Sequence, residues 1–175
     1  YQDAHKVLWL GTAGRGVICS KLNDHSSKII TKNNGLLDDY VFSIVEDNEG
    51  KLWFGTASGV CCYNPDTEIW FKYKKEDGLI SNVVYVIYQS VDGDLWFGTD
   101  GGVSRFDIKN KSWEGFIEIG AADDSLINSI TQDKTNQLIW LGTWGGGINK
   151  IDISNGKWKK YTQKDGLTDN SISSI

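Results

Sequence analysis

The chain has 175 residues, a net charge of −5, 20 glycines, 8 tryptophans, 1 proline and no methionine. Charged residues at 23% and hydrophobic ones at 39% exclude a disordered acidic tail, and the short apolar runs exclude a transmembrane helix. No Lys/Arg cluster exceeds Lys72, Lys74, Lys75 or Lys157, Lys159, Lys160, so neither nucleic acid nor an anionic lipid surface is an expected partner, because both require concentrated positive charge.

A soluble chain with one core is expected from this length. A chain that opens on Tyr1 without methionine is expected to be a processed piece of a longer protein. Cys19, Cys61 and Cys62 are too few for a disulfide framework and read as small buried side chains. Free thiols lean weakly toward a reducing compartment.

Along the chain one segment recurs. Leu8-Trp9-Leu10-Gly11-Thr12 returns as Leu52-Trp53-Phe54-Gly55-Thr56, as Leu95-Trp96-Phe97-Gly98-Thr99 and as Ile139-Trp140-Leu141-Gly142-Thr143, with Trp spacings of 44, 43 and 44. A glycine turn and an apolar residue follow each copy: Gly16-Val17, Gly59-Val60, Gly102-Val103 and Gly147-Ile148. A second aromatic comes later, at Trp70, Trp113 and Trp158, while the first copy has Ile29 and Ile30 in that region. Asp47-Asn48-Glu49-Gly50 and Asp92-Gly93 read as turns before the Trp strand, replaced by Lys134-Thr135-Asn136 in the last copy.

In the second unit these signals predict four strands, Tyr40–Glu46, Lys51–Ala57, Val60–Asn64 and Glu68–Lys74, rich in β-branched and aromatic residues. Glycine density and the lack of a 3.6-residue period disfavour helix. A period near 43 residues with four strands per unit implies an all-β β-propeller of four-stranded antiparallel blades. The expected repeats are 1–39, with the inner strand supplied by 170–175, then 40–82, 83–125 and 126–169. Near-continuous apolar strands such as Val41–Val45 fit sheets that pack on both faces, and a blade of this kind cannot bury its surfaces alone.

The unit running Gly-Leu, Val, Ile, Asp, Gly, Leu-Trp-Phe-Gly-Thr, Gly-Val from Gly35 to Val60, and again from Gly78 to Val103 with Ser90 for the Asp, resembles the two-component regulator propeller repeat. Copy three leads into the next unit with Gly120-Ala121 in place of Gly-Leu and a longer turn from Lys134 to Leu138. The WD40 and kelch patterns fit less well. The resemblance implies a periplasmic or otherwise extracytoplasmic sensor segment of a hybrid two-component regulator that perceives glycan fragments, with the kinase machinery outside these residues. An unclosed arc of four units would expose apolar blade faces and a strand edge, so a larger, seven-bladed parent ring is expected, with the remaining blades or a second copy of the chain as partners. Two arcs pairing into an eight-bladed ring and a closed four-bladed ring are the alternatives. No cofactor, metal or membrane contact is expected.

Trp9, Trp53, Trp96 and Trp140 recur in every copy and read as core between blades. Their following glycines suit places where backbones crowd, and Gly16, Gly59, Gly102 and Gly147 suit turns of positive φ. Function is expected where copies differ, on the rim that carries the turns between strands two and three together with the blade-to-blade connections. That rim supplies Arg15, Asp100 and Trp144, and the connections add Asp38, Asp39, Asn82, Asp123, Asp124 and Asp169. An aromatic ring beside carboxylates, an amide and one Arg is chemistry suited to a sugar. An interaction scaffold without a small ligand is the second reading. A propeller lyase, like the streptogramin lyases, is the third, and the two histidines, His5 and His25, do not match its catalytic histidine.

Overall fold

In the computed structural model, which describes residues 1–23, 26–116, 126–133 and 137–175, the strands form separate antiparallel sheets that follow chain order. Blade 1 holds β1 (Val7–Gly11), β2 (Val17–Lys21) and β3 (Ser27–Ile30). Blade 2 holds β4 (Val41–Glu46), β5 (Leu52–Thr56), β6 (Gly59–Asn64) and β7 (Ile69–Tyr73). Blade 3 holds β8 (Val84–Gln89), β9 (Leu95–Thr99), β10 (Val103–Asp107) and β11 (Ser112–Phe116). Blade 4 holds β12 (Ile127–Asp133), β13 (Leu138–Thr143), β14 (Ile148–Asp152) and β15 (Lys157–Tyr161). Within each sheet neighbours in sequence are neighbours in space, as short hairpin turns require.

The recurring five-residue segment is the second strand of every blade, and its side chains alternate between two buried faces. In β5, Trp53 points toward blade 3 and packs with Leu95, Phe97 and Phe106, while Leu52 and Phe54 point back toward Trp9 of blade 1. Trp96 packs in the same way on Ile139, Leu141 and Ile151 of blade 4. Trp9, Trp53 and Trp96 are buried, whereas Trp140, on the outer face of blade 4, is half-buried because no described sheet covers it.

The glycine that follows each Trp-containing triplet lies under the next inner strand. A Cβ on Gly55 would stand 2.9 Å from the Val84 carbonyl oxygen, and one on Gly11 3.0 Å from that of Val41. The same contact exists at Gly142, where a Cβ would meet Ile172 at 2.8 Å. Ile172 donates its N–H to the Thr143 carbonyl at 2.9 Å, as Val41 does to Thr12 at 3.0 Å. In the single chain, 172–175 therefore lie against blade 4, and the inner position of blade 1 is taken by Tyr1, which exchanges backbone hydrogen bonds with Trp9 at 2.8 and 3.0 Å.

Register also refines the first repeat. Tyr63 pairs with Trp70, and the matching pair in blade 1 is Ser20 with Ser27. The position of the second aromatic is thus Ser27, and Ile29 lies two residues further along with 58% of its surface exposed.

Candidate ligand-binding rim

Because the strands alternate in direction, the β5–β6 type turns and the connections between blades leave the sheets at one end. Each turn is tied by a threonine: Thr12, Thr56 and Thr99 donate Oγ1–H to the carbonyls of Gly16, Gly59 and Gly102 at 2.7 Å, and Thr143 to that of Gly147 at 2.8 Å. The four acceptor glycines have φ of 73°, 131°, 128° and 83°, the left-handed region that a side chain would strain.

The connections are braced by their own polar side chains. Asp38 and Asp169 accept the N–H groups of Tyr40 and Ser171, each at 2.8 Å, forming Asx turns. Asp39, Asn82 and Asn170 accept the N–H groups of Lys32, Lys75 and Gln163, all at 2.8 Å and seven residues upstream. The Tyr40 N–H, followed by the Ser58 hydroxyl at 2.7 Å, holds the Asp38 carboxyl below its ordinary range. Asn82 thus has a backbone partner for its oxygen, a role that its recurrence at Asp39 and Asn170 could have signalled.

Arg15 is exposed on blade 1 and Trp144 is 69% exposed on blade 4, with two blades between them. Asp100 lies in the β9–β10 turn close enough to Tyr85 to act on its phenol: burial first, and then the Asp100 charge, pushes the Tyr85 pKa up. Asp123 and Asp124 lie outside the described residues, as does His25.

The structure adds an aromatic pair. Each full blade has a register shift early in its inner strand, leaving Phe42, Tyr85 and Asn128 as the extra residues of β4, β8 and β12. Phe42 is 44% exposed, and its ring lies 5.1 Å from that of Tyr85, tilted by 41°. Sequence reasoning assigned Phe42 to an apolar strand. The signal that it differs from core is the variation of the position between copies, from Phe to Tyr to Asn.

Away from the rim, Asp3 and Asp47 accept the indole N–H of Trp9 at 2.8 Å and of Trp53 at 2.7 Å. A cleft of about 330 Å³ at the opposite end of blades 1 and 2 is lined by Asp3, the exposed His5, Lys21, Lys28, Asp66 and Glu68. Cys19, Cys61 and Cys62 are buried and free. Burial pushes the thiols of Cys61 and Cys62 up to about 11 and about 12, so both are protonated and poorly reactive near neutrality. Among the described residues no group of side chains is arranged to hold a metal ion, and no helix is long and apolar enough to cross a membrane.

Sheets that bury both faces against successive neighbours, with copy-specific side chains gathered at one end, define a β-propeller repeat protein. Residues 35–58 and 78–101 match the family described as two component regulator propeller, and the chain carries repeats of that family. The extracellular domain of BT3049 of B. thetaiotaomicron, a protein assigned to the hybrid two component systems, is 31% identical with a TM-score of 0.81 over 99% of this chain and 24% of that one. The extracellular domain of BT4673 from the same organism shares the fold, with 19% identity and a TM-score of 0.62 over 91% of this chain and 27% of its own. This chain spans about a quarter of the length of these structures. No curated protein matches it.

Proposed function

We propose that this chain is part of the extracytoplasmic sensor of a two-component regulator, and that its rim binds a ligand rather than transforming one. The observation that carries the reading is the Phe42–Tyr85 pair at the rim end of two inner strands, with Asp100 acting on Tyr85. An apolar ring pair offers a stacking face and the carboxylate accepts hydroxyl hydrogens, which suits a glycan fragment. Trp144 is a second exposed platform on the same rim. The likeness to extracellular domains of hybrid two component systems supports the placement outside the cytoplasm and within a larger ring.

Binding is favoured over catalysis by the state of the rim acids: Asp38 and Asp169 are engaged by backbone N–H groups, and the described histidine, His5, stands at the other end of blade 1. Titration of the full sensor with a panel of oligosaccharides, read by calorimetry, tests this. Binding that weakens at least tenfold in Phe42→Ala or Asp100→Asn, with unfolding temperature unchanged, supports the rim site. No binding by any glycan, together with a stable protein complex lost in Trp144→Ala, favours an interaction scaffold.

A further inference from the structure

The clefts between successive blades differ in one row of cross-strand partners. Trp9, Trp53 and Trp96 pair with Cys19, Cys62 and Arg105, which pair in turn with Lys28, Phe71 and Glu114 on the outer strands. Between blades 2 and 3, Phe71 and Ile108 narrow the cleft to a hollow of about 100 Å³, and its charged residues, Lys51 and Lys111, have the same sign. Between blades 3 and 4 the charge is cancelled within one blade, since Arg105 bonds Asp94 at 2.8 Å and lies 3.6 Å from Glu114.

Between blades 1 and 2 neither arrangement is used. Lys28 stands where blade 2 has Phe71, and the cleft opens to about 330 Å³. Its blade 1 wall carries Lys21 and Lys28, its blade 2 wall carries Asp66 and Glu68, and all four are exposed, whereas Trp9, Cys19 and Tyr63 form a buried floor. Lys21 and Lys28 share one face of the sheet, because Cys19 lies two residues from Lys21 and directly opposite Lys28. Asp66 and Glu68 are held by the turn between β6 and β7, where Asn64 Oδ1 accepts the N–H groups of Asp66 and Thr67 at 2.9 and 3.3 Å. Glu68 keeps a left-handed backbone, with φ of 57°, at the position where blade 4 has Gly156 at 67°.

Among the described residues no ion pair joins these lysines to these carboxylates. Both sets of charges act on the floor. Burial raises the Cys19 thiol against the pull of Lys28 and Lys21, and burial and then Glu68 raise the Tyr63 phenol. An anion alone would face the carboxylates, a cation alone would face the lysines, and a neutral sugar would leave both walls without a counter-charge. A molecule carrying a carboxylate and an ammonium group satisfies both walls with charge-assisted hydrogen bonds, and its side chain can lie against Trp9 and Tyr63, whose rings are 6.0 Å apart. The volume falls at the small end of ligand sites, about 300–1,000 Å³, which suits an amino acid better than an oligosaccharide.

We propose that the cleft between blades 1 and 2 binds a free amino acid as its zwitterion, with Lys21 and Lys28 taking the carboxylate and Asp66 and Glu68 the ammonium. The site lies at the opposite end of the blades from the rim and does not depend on the glycan reading.

Calorimetric titration of the full-length protein with each of the protein amino acids at millimolar concentration tests it. At least one should bind. Its amide, which lacks the carboxylate, and its N-acetyl form, which lacks the ammonium, should each bind at least tenfold more weakly. Glu68→Gly removes a carboxylate and suits the left-handed backbone, so affinity should fall at least tenfold while the unfolding temperature holds or rises. Lys28→Ala should weaken binding to a similar degree, and Lys28→Phe, which installs the blade 2 residue, should abolish it. Failure of every amino acid to bind would overturn the proposal, as would binding that survives blocking of either charged group or is unchanged in both Glu68→Gly and Lys28→Ala.

Discussion

Blades 2 and 3 solve the same problem at the same repeat position in two ways. In blade 2, Asp47 accepts N–H groups from Glu49 and Lys51 with one oxygen, each at 2.9 Å, and the Trp53 indole N–H with the other. One buried carboxylate thereby closes the β4–β5 turn and locks the anchor ring. In blade 3 the residue is Ser90, whose hydroxyl donates toward Asp92 and the Asp94 carbonyl and does not reach the indole. The Trp96 Nε1 is buried with no hydrogen-bond partner among the described residues.

What blade 3 has instead is Arg105, whose guanidinium lies 5.8 Å from the centre of the Trp96 ring and bonds Asp94 at 2.5 and 2.8 Å. Burial works against that charge, but Asp94, with Asp92 and Glu114, outweighs it and keeps the guanidinium protonated. The difference shows that the repeat selects an aromatic wedge between sheets first. How its polar edge is satisfied is left to the individual copy.

The comparison can be broken most severely at the wedge itself. Trp53→Ala should destabilise the full protein by about 3–5 kcal/mol in chemical denaturation, through lost burial and the cavity left behind. Asp47→Ala should cost about 3 kcal/mol, because two turn amides and the indole lose their acceptor together. Ser90→Ala should cost only about 1 kcal/mol, since no indole depends on it. Equal losses for the Asp47 and Ser90 variants would erase the distinction between the two blades. Ser90→Asp sharpens it from the other side: if the new carboxylate reaches Trp96 as Asp47 reaches Trp53, stability should rise by about 1 kcal/mol, visible as a higher unfolding temperature.

The smallest effect concerns Asp38. Its folded pKa lies below the unfolded value, so its contribution is present above the unfolded pKa and fades as pH falls through the folded one. Relative to wild type, Asp38→Asn should therefore flatten the loss of stability in acid, below the ordinary carboxylate range, and change little near neutrality.

Much of the fold was legible in the repeat. Spacing, the turn glycines and the second-strand motif place each blade, and in blade 2 the strand bounds differ by a residue or two from those expected, as strand ends commonly do. The short 3-10 turns at Lys75–Asp77 and Gln163–Asp165 carry no such signal and were not anticipated. The rim was legible only in part. Arg15, Asp100 and Trp144 stand out because copies differ there, but Asn82, which also stood out, braces backbone. Phe42 was hidden because a one-residue register shift, invisible in an alternation pattern, decides that it leaves the core.

Local chemistry by itself determined that this chain forms blades: glycine where a backbone must pass closely, β-branched and aromatic residues between turns, and a Trp at a fixed place in every second strand. Only the tertiary structure decided which equivalent residues have partners. Gly35 and Gly78 lie outside their own sheets, and each is covered by a Trp ring of the blade that follows, Trp70 and Trp113. The reason is that burial in a propeller is supplied by the neighbouring sheet, so the same residues are core or surface according to what stacks on them.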